Sequence, residues 1–166
     1  MFLNHCMDIN LMEHMGNALA KRFRGVRITK VLTAESSGIA LACFVARALD
    51  VPAVYAKKFQ TGYIDPEVYS AETHFSLEKS YTLRVSKKYL DGDDVVLLVD
   101  DILSNGQAIL SLLELVSKAG GEVAGVGVAI EKAMRDGGRV LRRMGIRVEA
   151  LATVERIEGD RIILKD

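Results

Sequence analysis

The sequence predicts an α/β protein with an open, mostly parallel five-stranded sheet flanked by helices. Three observations carry that expectation. Residues 95–99 and 123–130 are continuous apolar runs without alternation, the pattern of strands buried on both faces. Helical spacing follows such runs, as with Ile109, Leu112, Leu113 and Val116 after the first. Between them, residues 59–80 break the rhythm. They are polar, contain Gly62 and Pro66, and alternate over 68–75, which marks a long antiparallel excursion.

Each element has its own local reason. Asp8 is an N-cap for a helix running to about Phe23, with Ile9, Met12, Met15, Ala18, Leu19 and Phe23 on its apolar stripe. Residues 28–33 read as the first core strand. A polar turn follows at Ala34, Glu35, Ser36, Ser37 and Gly38, then an apolar helix over 39–49 that closes before Pro52. Residues 51–56 form a short strand ending in Lys57 and Lys58. The excursion holds two antiparallel ribbons, with 81–85 as the returning strand. After the strand at 95–99 a turn at 102–107 leads into a helix over 107–119, and Gly120 and Gly121 signal its C-cap. Strand 123–130 ends in Glu131 and Lys132. A short helix over 136–144 stops at Gly145, strand 146–154 follows, and Glu158, Gly159 and Asp160 turn the chain into a last strand at 162–164. Right-handed crossovers then put the strand-end loops on one edge of the sheet.

With 166 residues, 49% of them hydrophobic, the chain is sized for one domain over 1–166. Lys and Arg number 22, and so do Asp and Glu, a balance that speaks against nucleic acid as a partner. No apolar run approaches the roughly 18 residues of a membrane span. Cys6 and Cys43 have no metal-ligand spacing, and a reducing cytoplasm is expected.

The chemistry concentrates at 95–109. Asp100 and Asp101 follow the apolar strand, and Ser104, Asn105, Gly106, Gln107 and Ala108 open the next helix. Small residues at a helix start aim N–H groups and the positive dipole end at an anion, of which phosphate is the obvious one. Two carboxylates at the entrance repel phosphate but suit ribose hydroxyls or a cation carried on the ligand. The plainer reading, a pair of solvated capping carboxylates, has equal standing from these residues alone. Glu35, Ser36, Ser37 and Gly38 form a second loop of this kind, although turn chemistry alone favours an ordinary connection there. Lys57 and Lys58 either meet a phosphate or are solvated.

Taken together, these residues resemble the type I phosphoribosyltransferases. The strand, acidic pair and 104–108 loop look like that family's diphosphate-donor signature. Residues 2–5, 33–40, 68–70 and 130–132 stand in the order and spacing of its bacterial xanthine-specific members. The resemblance implies a purine-salvage enzyme. It would move 5-phosphoribosyl from 5-phospho-α-D-ribose 1-diphosphate to a 6-oxopurine, best xanthine, giving XMP and pyrophosphate. It implies that residues 104–108 hold the 5-phosphate and that Asp100 and Asp101 hold the ribose and stabilise its developing charge. Residues 35–38 with Lys57 or Lys58 would receive the pyrophosphate, and Tyr69 and Ser70 would close a lid over 59–80. Lys132, Asn4 and Met134 would meet the base, with 146–166 and N-terminal residues forming a small hood. Mg²⁺ would ride mainly on the diphosphate, with no dedicated protein ligand, and the enzyme would be a homodimer. Two departures bear on the base. The sequence begins later than those enzymes, without the segment whose leucine covers the base, and Ala133 and Met134 replace a stacking aromatic. The alternatives are a hypoxanthine or guanine enzyme, a non-catalytic sensor of the same donor, and a phospho-receiver. The 104–107 loop and the 59–80 excursion fit the last poorly.

Overall fold

The computed structural model describes residues 6–58, 67–76 and 79–165. Helix α1 (Ile9–Arg22) leads into strand β1 (Lys30–Ala34), helix α2 (Gly38–Leu49) and strand β2 (Ala53–Ala56). A hairpin of β3 (Val68–Ser76) and β4 (Lys79–Ser86) follows, then β5 (Val95–Leu103) and α3 (Gln107–Ala119). The chain continues through β6 (Glu122–Lys132), α4 (Gly137–Arg143), β7 (Val148–Glu158) and β8 (Arg161–Leu164). The main sheet has the order β2-β1-β5-β6-β7-β8, and β3-β4 form a separate two-stranded ribbon. The five expected strands are parallel, and β8 adds a sixth that is antiparallel to β7. The turn at Gly159, with φ +57°, sends the chain back along β7, so residues 148–164 extend the edge of the main sheet.

Helix α1 begins as its cap predicts, with the Asp8 carboxylate accepting from the Leu11 N–H at 3.0 Å. Along β5 the side chains alternate between two cores. Val96 and Leu98 pack with the apolar faces of α3 and the ribbon. Leu97 and Val99 pack with α1 and α2. All four are fully buried, so truncating Leu97 or Leu98 to Ala should cost about 2–5 kcal/mol.

Strand β5 does not end at Val99. Ile102 and Leu103 pair with Ile130 and Glu131 of β6, so Asp100 and Asp101 lie within the strand. Pairing with a neighbour outweighs the poor strand preference of aspartate. At the opposite, amino edge, Asp94 knots the sheet. Its carboxylate accepts from Lys30 Nζ at 2.7 Å, Thr29 Oγ1 at 2.9 Å and the Asp91 N–H at 3.0 Å. Burial opposes the charge of Asp94, but the bonds from Lys30, Asp91 and Thr29 outweigh it and hold its pKa below the usual 3.8.

Candidate active site

Strand order decides where a ligand can sit. From β1 the chain crosses to β2 on one side, and from β5 it crosses to β6 on the other. The carboxyl ends of β1 and β5 therefore flank a switch point, where α2 and α3 depart to opposite faces and leave a crevice. A cavity of about 310 Å³ opens there. It is lined by Glu35, Ser37, Lys58, Tyr81, Asp100, Asp101 and residues 104–108, with short apolar stretches between. The two loops read from the sequence as separate anion sites thus share one cavity.

Both helices that start at this cavity lack a side-chain cap, at Ser37 for α2 and at Gly106 for α3. Neither start gains from a capping side chain; in α2 the Ile39 N–H turns back to the Ser36 carbonyl at 3.3 Å, and the start of α3 lines the cavity through residues 106–108. Gly106 has φ +79°, a left-handed conformation that glycine adopts without strain. It also packs against α4. The Gly137 N–H donates to the Ser104 carbonyl at 3.0 Å, and a Cβ at Gly137 would stand 2.7 Å from Gly106 N. The phosphate-type loop is therefore backed by bare backbone from a distant segment.

The acidic pair is folded onto its own strand. Asp100 Oδ1 accepts from the Asp101 N–H at 3.0 Å, and Asp101 Oδ1 from the Ile102 N–H at 2.9 Å. Asp100 keeps a partial opening to the cavity, but protein crowds the carboxyl itself. Burial, with the Asp101 charge second, pushes its pKa to about 7. Lys58 opposes that shift and so stands close enough for its charge to be felt. Gly38 makes the approach of Asp100 possible. A Cβ there would lie 2.8 Å from Asp100 Oδ1 and nearer still to the buried Thr33 hydroxyl, which has no hydrogen-bond partner among the described residues.

Lys58 is fixed at both ends. Its backbone N–H donates to Glu35 Oε2 at 2.8 Å, and its ammonium lies 4.7 Å from the centre of the Tyr81 ring. Tyr81 itself titrates above its ordinary 10.0, first through burial and then through the Asp100 charge. Of the two lysines, the structure brings only Lys58 to the cavity. Lys57 pairs its backbone with Arg84 and carries its ammonium outward beside Tyr55.

Other expected residues lie elsewhere. Ser36 is exposed at the top of its turn, and Gly38 is buried beneath Asp100. Tyr69 and Ser70 sit at the foot of the ribbon, where Tyr69 packs on the core and the Ser70 carbonyl accepts from Lys118 Nζ at 2.6 Å. That is the far end of α3 from the cavity. The segment expected to form a lid is, over 68–76 and 79–80, part of two paired strands, and 59–66 lies outside the described residues. Lys132 ends β6 one residue beyond the Leu103–Glu131 pair, on the same sheet edge as the cavity but outside its lining. Met134 is exposed in the turn that follows, and Asn4 lies outside the described residues. Beside Lys132, Glu131 is buried and bound by both Arg142 nitrogens at 2.6 and 2.7 Å, which ties α4 to the end of β6.

Tyr81 and Gly137 were not foreseen. A tyrosine in a returning strand reads as core, and a glycine before a short helix reads as a turn. The available signal for Tyr81 was its place in the strand that returns from the excursion toward Lys58.

An acidic pair near the carboxyl end of β5, between two helix starts at the switch point of a parallel sheet, has the chemistry to meet a phosphorylated sugar or nucleotide. Residues 9–142 match the phosphoribosyl transferase domain. The xanthine phosphoribosyltransferase of Clostridium novyi is 43% identical over 166 residues, 99% of this chain and 87% of that protein. The xanthine phosphoribosyltransferase of Heliobacterium modesticaldum is 46% identical over 163 residues, 98% and 86% of the two chains. Among solved structures, an APRTase from Giardia lamblia in complex with 9-deazaadenine aligns with a TM-score of 0.79 at 27% identity. That alignment covers 89% of this chain and 81% of the other. The adenine phosphoribosyltransferase of Thermoanaerobacter pseudethanolicus aligns at 0.78 and 25% identity, covering 88% and 82%. The chain belongs to the phosphoribosyl transferase family.

Proposed function

We propose that this protein transfers the 5-phosphoribosyl group from 5-phospho-α-D-ribose 1-diphosphate to a 6-oxopurine, with xanthine the preferred base. The observation that carries the reading is the meeting of Asp100 and Asp101 with two uncapped helix starts in one cavity. The near-full-length identity to xanthine phosphoribosyltransferases supports the choice of base.

The N–H groups of residues 104–108 hold the donor's 5-phosphate. Asp100 and Asp101 accept hydrogen bonds from the ribose hydroxyls. As the bond from C1 to the diphosphate oxygen breaks, positive charge grows on the sugar, and the purine nitrogen forms the new bond to C1. The electron pair of the broken bond leaves with pyrophosphate. Burial disfavours ionised Asp100, whose pKa is pushed up to about 7, and the positive charge that appears on the sugar relieves it. Lys58 and the start of α2, over 35–38, meet the leaving pyrophosphate. Lys132 donates to a purine carbonyl oxygen, Met134 covers a ring face, and Asn4 completes the base site.

The polar donors lining the cavity are carboxylate, hydroxyl, amide and amine groups, with no imidazole or thiol. Among the described residues no group of three or more His, Cys, Asp or Glu forms a cage. Hard oxygen donors of this kind would suit Mg²⁺ delivered with the diphosphate, which would be held mainly by the diphosphate's own oxygens and by water. When bound, the ion neutralises the leaving group's charge. The balanced charge of the chain and the lack, among the described residues, of a helix long and apolar enough to cross a membrane fit small-molecule substrates. We place the enzyme in the cytoplasm as a homodimer.

The test is pyrophosphate release from the donor and Mg²⁺ with xanthine, hypoxanthine or guanine in turn. Fastest turnover of xanthine is expected. Preference for hypoxanthine or guanine would reassign the base. Donor binding without release, whatever the base, would make the protein a sensor of the donor and overturn the catalytic reading.

A further inference from the structure

We propose that Tyr81 is a positioning residue for Lys58, its ring holding the ammonium at the diphosphate end of the cavity. The inference rests on the reading of this cavity as the donor site. The Lys58 ammonium is 4.7 Å from the ring centre, inside the roughly 6 Å range of a cation–π contact. Two other lysine–tyrosine contacts among the described residues are longer, at 5.6 Å for Lys87 and Tyr69 and 5.9 Å for Lys57 and Tyr55. In neither of those do the partners line the cavity. A lysine head on four rotatable bonds is a poor fixed charge unless something orders it. Here Glu35 holds the backbone of Lys58 and Tyr81 holds the head.

The ring is in turn held from behind. Tyr81 stands opposite Thr73 in the β3-β4 ladder, and its hydroxyl is hydrogen-bonded to Thr73. Thr73 Oγ1 donates to Ser111 Oγ at 2.7 Å, with both residues buried. Ser111 Oγ lies 3.0 Å from the Glu72 carbonyl and 3.1 Å from the Gln107 carbonyl. With one hydroxyl proton it serves one of these at a time. Gln107 opens α3 and lines the cavity at the phosphate-loop end. A continuous chain of contacts therefore runs from the cation at one end of the cavity to the helix start at the other. Tyr81 fixes where the diphosphate cation sits relative to the 5-phosphate loop.

A tyrosine that merely filled the core would give a different double-mutant cycle. The experiment titrates inorganic pyrophosphate with Mg²⁺ into the full chain and into Tyr81→Leu, Tyr81→Phe, Lys58→Met and Lys58→Met/Tyr81→Leu. The donor and base KM values are measured alongside. Tyr81→Leu should weaken pyrophosphate about fivefold, raise the donor KM in step and leave the base KM unmoved. Tyr81→Phe, which keeps the ring, should restore most of that loss. In the Lys58→Met background Tyr81→Leu should add nothing. An equal loss with and without Lys58, or equal losses for Phe and Leu, would overturn the inference while leaving the donor site intact. If the parent does not bind pyrophosphate, or Lys58→Met binds it normally, the donor-site reading fails first and takes the inference with it.

Discussion

Replacing Asp100 by Asn should stabilise the ligand-free protein at neutral to alkaline pH while stopping turnover. Burial and the neighbouring Asp101 raise the Asp100 pKa from 3.8 to about 7. A carboxyl whose folded pKa lies above its unfolded one favours folding only in its neutral form. Its contribution is intact below 3.8 and is lost as pH rises through 7. Each pKa unit corresponds to roughly 1.4 kcal/mol, which gives a ceiling near 4 kcal/mol for the charged group above pH 7. Asn keeps the oxygen that accepts from the Asp101 N–H and removes both the desolvated charge and its repulsion from Asp101. Allowing half the ceiling for relaxation leaves about 2 kcal/mol, or a rise in Tm of roughly 4–8 °C for a chain of this size. Thermal melts at about pH 8 and about pH 4 test this, because near pH 4 the folded carboxyl is neutral and the unfolded one only partly ionised, so the gain should shrink to a few tenths of a kcal/mol. An unchanged or lower Tm at the higher pH, or the same gain at both, would refute the argument. The companion double variant with Asn at 100 and 101 should fold and lose turnover; near-parental activity would remove the pair from the chemistry.

Four further outcomes follow from the same geometry. In the parent enzyme, kcat/KM for the donor should rise along an acid limb centred near pH 7, where Asp100 ionises, and a pH-rate profile flat through that range would disprove the assignment. Gly137→Ala drives a Cβ into the 104–106 backbone and should raise the donor KM about tenfold or more while sparing the base KM, read by steady-state kinetics. Lys132→Ala should raise the base KM roughly tenfold, the worth of a charge-assisted hydrogen bond, with the donor KM unmoved. Asp94→Asn should lower Tm at pH 7 by about 4–8 °C, since it strands the Lys30 ammonium. That difference should fade as pH falls below 3.8, where the parent's own carboxylate takes up its proton.

Much of this was legible in the residues. The 107–119 helix could be bounded from sequence because its apolar spacing and its Gly120–Gly121 stop agree. The two small-residue loops came together because parallel strands put their carboxyl ends on one edge. The end of β5 was not legible, because whether Ile102 and Leu103 stay in the strand depends on β6 offering partners. Nor was the choice between Lys57 and Lys58. It depends on the isolated bridge between Lys57 and Arg84, which turns one lysine out and its neighbour in. Gly137 and Tyr81 owe their roles to segments remote in sequence, and local propensity carries no trace of such contacts.

The ribbon that carries Tyr81 has its foot in the core. Ala71, Leu83 and Val85 are each no more than 3% exposed and cluster with Leu112 and Leu115 of α3. Stripping a side chain such as Leu83 from that cluster costs on the order of 1.5–3 kcal/mol. Slow hydrogen exchange is therefore expected of the amides around Leu83. The wall of the cavity that carries Tyr81 is anchored in the same core that holds β5 and α3.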